Sequence, residues 1–145
     1  MKAFALIPLI LVASLALGAV DVVVPTRIES SDYPALGYQA RISGTVVLRA
    51  KLAGNGSPTD IQVIAGQKVL ADAARENLSK WRFGSVSGVD DSGLYVNVTY
   101  EFRLGGLTSA RPRSTFVYEY PLRVIISSEV PRWEPNDPAA VVRGK

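Results

Sequence analysis

The 145-residue chain contains no cysteine and no histidine. Those two absences remove thiol nucleophiles, disulfides, the usual zinc ligand sets and the side chain that titrates near neutral pH. They leave the redox compartment unread, and they exclude lipoprotein anchoring through a thiol near the amino terminus. An excess of one charge is lacking too: 16 Lys/Arg stand against 13 Asp/Glu. The surplus sits late. Seven basic residues face four acids from Arg103 onward, whereas residues 20–102 hold eight against nine. The basic positions are dispersed and carry no interleaved aromatics, so no nucleic-acid footprint is present. The basic tail reads as solvated surface, with contact to anionic lipid as the competing reading. Internal repeats and low-complexity tracts are absent. Long apolar runs are absent as well, except at the amino terminus.

That exception is MKAFALIPLILVASLALGA, residues 1–19. Lys2 supplies a minimal positive start, an apolar stretch follows, and the small residues Ala16, Gly18 and Ala19 close it. The pattern is that of a secretory signal. The run over residues 3–20 also approaches the ~20 residues of a spanning helix, although Pro8 and Ser14 weaken it, so a retained inner-membrane anchor stays open. Either way the remainder is expected outside the cytoplasm, in the periplasm if the cell has two membranes. Residues 20–32 form a short linker, in which residues 22–24 read as a stub strand stopped by Pro25.

The informative part lies between Tyr33 and Leu104. Tyr33-Pro34 opens a short helix to about Ala40, with Ser31 or Asp32 as cap. Over residues 45–52, Val46, Leu48, Ala50 and Leu52 share one face and Thr45, Val47, Arg49 and Lys51 the other, the period of a half-buried strand. Gly54-Asn55-Gly56 turns the chain into a hairpin, with Ile61 and Val63 inward on the partner strand. Residues 69–81 carry Leu70, Ala73, Ala74, Leu78 and Trp81 at helical spacing. A polar loop over residues 85–93 follows. In residues 94–104, Leu94, Val96, Val98, Tyr100, Phe102 and Leu104 face inward and Tyr95, Asn97, Thr99, Glu101 and Arg103 outward. This β-β-α-β order implies an α+β, two-layer fold: an antiparallel sheet with helices on one face. An extension, residues 105–130, holds one further strand over residues 115–126 with Pro121 interrupting its ladder. Residues 131–145 read as a disordered tail.

These elements resemble the TonB C-terminal domain family. The shared features are Tyr33-Pro34, Gly44-Thr45-Val46-Val47-Leu48, Gly54-Asn55-Gly56, Trp81-Arg82-Phe83, and the strand from Val96 to Phe102, in that order. The resemblance covers residues 33–104, about half the chain. It implies a protein-interaction domain whose last strand receives a short N-terminal segment of an outer-membrane receptor, in energy-coupled transport. Two departures accompany it. The family's transducers carry a long Pro-rich linker, whereas the thirteen residues 20–32 reach at most ~45 Å, too short to cross a periplasm. Gly84-Ser85 stand where a proline is often found.

The candidate sites follow from this. The strand stretch Val96, Asn97, Val98, Thr99, Tyr100, Glu101, Phe102 and Arg103 is the expected partner-binding edge, offering unpaired backbone groups to an extended peptide. The competing expectation is that residues 115–126 fold back and cover that edge. Trp81 and Phe83 read as structural plugs, with Arg82 in solvent or on carbonyls. Asp90-Asp91 lacks the spaced oxygens of a calcium loop, so no metal is expected. Ser79-Lys80 lacks a nucleophile-elbow context and its members diverge on a helix, so no catalytic residue, enzyme activity or cofactor is expected. Asn77 and Asn97 match the glycosylation triplet by chance. The partner is therefore a protein or peptide, either receptor-like or a second copy. The alternative role is an envelope assembly module that self-associates and takes no part in transport.

Overall fold

The computed structural model describes residues 23–84, 93–108 and 113–132. The leader, most of the 85–93 loop with Asp90-Asp91, and nearly all of the expected tail lie outside these residues. Five strands form one sheet in the order β3-β2-β5-β7-β6: β2 (Gly44–Leu52), β3 (Pro58–Ala65), β5 (Leu94–Thr108), β6 (Ser114–Glu119) and β7 (Arg123–Pro131). A separate two-stranded ribbon joins β1 (Pro25–Arg27) to β4 (Arg82–Phe83). Helices α1 (Ala35–Gln39) and α2 (Lys68–Ser79) accompany the sheet. The class is the α+β, two-layer arrangement expected, with one difference. All pairings are antiparallel except β5 with β7, which is parallel.

The period-two pattern sets the core. Val46, Leu48, Ala50 and Leu52 of β2 and Val96, Val98, Tyr100 and Phe102 of β5 are all buried, and they meet Leu70, Ala71, Ala74 and Leu78 of α2. The strands β2 and β5 stay in register from Gly44↔Phe102 to Leu52↔Leu94 without a shift. One methylene of buried side chain is worth about 0.8 kcal/mol, so a one-residue slip that turned these residues to water is strongly disfavoured. The glycine-bearing turn behaves as expected. Gly56 has φ +79°, and a Cβ there would come within 2.1 Å of the Phe83 carbonyl oxygen, so only glycine fits.

Several boundaries differ from the sequence reading. The stub strand begins at Pro25 and does not end there, because β1 pairs antiparallel with β4 and a first-position proline gives up no ladder bond. Pro34 itself is the N-cap of α1, with extended backbone and no side-chain capping bond; Ser31 Oγ donates instead to the Asp32 carbonyl. On α2, Ala73 is half-buried, whereas Ala71 and Asn77 are buried.

The extension departs most. The expected single strand over residues 115–126 is two strands, β6 and β7, around a turn at Tyr120-Pro121-Leu122, where the Tyr120–Pro121 bond is cis. Proline cannot donate to a ladder, so the chain reverses at Pro121. The returning strand β7 inserts between β5 and β6 and places Val124 and Ile126 in the core at 0% and 1% exposure.

Candidate functional site: the edges of the sheet

Trp81 follows α2 directly and is fully buried beside Phe83 and Tyr100, with ring centroids 6.2 and 6.3 Å away. Its indole N–H donates to Asn77 Oδ1 at 3.1 Å, and the Tyr100 hydroxyl donates to the same oxygen at 2.9 Å. The Asn77 amide donates to the Glu29 carbonyl at 2.8 Å. Every polar atom of this buried cluster thus has a partner. Burial pushes the Tyr100 hydroxyl well above its usual range, so it stays a donor. Trp81 and Phe83 are both buried, whereas Arg82 is exposed and its guanidinium donates to the Trp81 carbonyl at 2.6 Å. Asn77 was missed. A buried asparagine among small residues leaves no apolar signature, and its triplet drew attention to the wrong property.

The expected edge, Val96 to Arg103, is where the structure corrects the reading. On one side β2 pairs with it as far as Phe102. On the other side β7 pairs from Thr99↔Arg123 through Thr108↔Pro131. Thr99 to Phe102 are therefore closed on both edges, and Arg103 on the β7 side. The covering segment is the parallel β7, and not residues 115–126 as one strand. The covering stops at Thr99, whose N–H donates to the Leu122 carbonyl at 3.0 Å as the last rung. Alternate residues of a strand direct their N–H and C=O to the same side. Tyr95 and Asn97 hence aim their backbone groups toward the β7 side, and among the described residues no strand lies beside them there. Five residues, 94–98, remain open, a length of about 17 Å.

The outward side chains lie on the solvent face as expected but are not all available. Glu101 bonds Arg103 and Arg123, and Arg123 bonds Glu119 at 3.1 Å. The Arg103 and then the Arg123 guanidinium hold the Glu101 carboxyl down at about 2. Asn97 is exposed, and Tyr95 carries the Arg49 guanidinium 4.3 Å above its ring. Among the described residues no three acidic side chains gather as metal ligands, and Ser79 bonds its own helix through the Glu76 carbonyl at 2.7 Å.

The outermost strands differ from one another. The β3 ladder to β2 shifts register twice, and Asp60 has φ +44°. Such bulges blunt an edge. The β6 ladder to β7 runs six rungs from Ser114↔Ser128 to Glu119↔Arg123 without a shift.

The family model for the Gram-negative bacterial TonB protein C-terminal matches residues 29–104, just over half of the chain. The chain belongs to the TonB C-terminal family. Protein tonB2 of Pseudomonas aeruginosa is 35% identical over 76 residues, which is 50% of this chain and 28% of that protein. The chain thus spans well under a third of that relative. The solution NMR structure of the Pseudomonas aeruginosa TonB CTD matches at 27% identity over 56% of this chain and 85% of the other, with a TM-score of 0.44. Family membership makes this a non-enzymatic protein-interaction domain. The matched region ends at Leu104, so β6 and β7 lie outside it.

Proposed function

We propose that this TonB-family domain works outside the cytoplasm and takes a partner peptide as an added strand on residues 94–98 of β5. The observation that carries the reading is the start of the β7 register at Thr99, which leaves the backbone of Tyr95 and Asn97 facing a position that no strand among the described residues fills. A peptide there continues the line of β7 and gains main-chain hydrogen bonds, while Tyr95 and Asn97 select among its side chains. The role that fits the family is energy-coupled transport across the outer membrane, with the receptor's N-terminal segment as partner. Residues 3–20 direct export and, if retained, hold the domain at the inner membrane.

Titration of the isotope-labelled protein with synthetic peptides from receptor N-termini tests this. Amides of residues 94–98 should shift and gain exchange protection, while those of residues 99–108 stay still. Asn97→Pro deletes an outward N–H without touching the β2 ladder and should weaken binding about tenfold, the worth of one backbone hydrogen bond. Shifts spread over β7 instead, or none within residues 94–98, would overturn the reading.

A further inference from the structure

A second open edge is β6, the outer strand on the β7 side of the sheet, and its sequence says what would fill it. Strand β6 reads Ser-Thr-Phe-Val-Tyr-Glu, with Arg113 immediately before it. Among the described residues it is the outermost strand and is paired only to β7, and it has no bulge, no proline and no lysine within it. Those are the devices by which an edge is normally blunted, and β3 at the opposite end of the sheet has bulges and a leading proline. The face alternation is also clean. Arg113, Thr115, Val117 and Glu119 lie on the outer face, where Arg113 and Thr115 are exposed and Val117 is 47% exposed. Phe116 and Tyr118 turn toward the core.

We infer that β6 pairs antiparallel with β6 of a second copy of this chain, about a two-fold axis at Phe116. An antiparallel contact between identical strands must be self-complementary, residue i meeting j and j meeting i. With Phe116 on the axis, Arg113 stands opposite Glu119 of the second copy, and Thr115 opposite its Val117. The same two pairs recur on the other side of the axis. Both charges are thereby matched. Arg113 has no ion-pair partner among the described residues, and Glu119 is held from its own chain by a single exposed bridge to Arg123. The match sets opposite charges at directly facing positions, which stabilises a cross-strand pair, whereas like charges there destabilise it. Joining the two edges makes one ten-stranded sheet from two five-stranded ones. The arrangement uses the β6 edge alone and does not depend on the peptide site proposed above.

Sedimentation velocity on the protein purified after export tests this. A concentration-dependent monomer–dimer equilibrium is expected. Arg113→Glu places two acids face to face and should raise the dimer Kd about tenfold. The double variant R113E/E119R restores opposite charges across the axis and should bring the Kd back toward the original. Val117→Lys, a charge on the open edge, should also weaken the dimer. Arg113 and Val117 are exposed, so the near-ultraviolet dichroism of buried Trp81 should be unchanged in both single variants. A single monomeric species up to about 1 mM overturns the inference, as does a dimer whose Kd neither Arg113→Glu nor Val117→Lys alters.

Discussion

The family-matched part of the chain, residues 29–104, and the hairpin β6–β7 contribute to one core by different means. In the matched part, α2 packs on β2 and β5, and a buried polar cluster of Asn77, Trp81 and Tyr100 pins the helix end to the sheet. Among the described residues the hairpin brings no such cluster. It adds Val124 and Ile126 to the same apolar layer, a parallel ladder to β5, and exposed ion pairs from Arg123 to Glu101 and Glu119. An extension outside the family match is therefore an integral layer of this molecule. It also covers one side of β5 from Thr99 onward.

If both parts share a core, core deletions on either side should be costly. Trp81→Ala removes the largest fully buried side chain and should destabilise by about 4 kcal/mol, measured by chemical denaturation. Ile126→Ala, in the hairpin, should cost about 3 kcal/mol by the same measurement, in one cooperative transition. An Ile126→Ala cost under about 1 kcal/mol would make the hairpin an appendage, because such a value is typical of surface substitutions. It would then reopen residues 99–103 as an edge.

The polar cluster gives the next effect in size. Asn77→Ala leaves the Trp81 indole N–H and the Tyr100 hydroxyl buried without an acceptor, and should cost about 2–3 kcal/mol. Tyr100→Phe removes one donor and leaves Asn77 Oδ1 still bonded to Trp81, so about 1 kcal/mol is expected. A reversed order of these two would place the cost elsewhere than in the unpaired groups. The Asn77 amide is held by the Glu29 carbonyl inside the fold, so Asn77 should carry no glycan when the folded protein meets a glycosylating extract, checked by intact mass.

The sequence made the matched part legible because its periods are undiluted. The alternation from Val46 to Leu52 and from Val96 to Phe102 dictates two buried strand faces, and Leu70, Ala74 and Leu78 dictate the helix between them. Asn77 was not legible, since its partners Trp81, Tyr100 and Glu29 converge only after folding. The hairpin failed for a different reason. Phe116, Tyr118, Leu122, Val124 and Ile126 share a parity, so one strand broken by Pro121 and two strands turning at Pro121 give the same pattern. Sequential strands usually pair, which favoured β6 beside β5, whereas the returning β7 takes that place with the better core residues. The open stretch at residues 94–98 depends on the β7 register, and no side-chain pattern encodes where a parallel neighbour begins.

The smallest expected effect joins the two parts directly. Glu101 on β5 bonds Arg103 of its own strand and Arg123 of β7, and its carboxyl is held near 2, below the ordinary 4.5. A depressed carboxylate contributes stability that is complete above the unfolded value. That contribution is lost as pH falls from about 4.5 through 2. The cluster lies on the solvent face, where ion pairs are screened, so the loss is modest and shrinks further in high salt. Thermal unfolding at pH 6 and pH 2.5 should show the original protein losing more than Glu101→Gln across that interval, because only the original has this proton to take up. Equal losses in the two proteins would mean that the ion pairs across β5 and β7 add nothing. The hairpin would then be held to the matched part by its ladder and by Val124 and Ile126 alone.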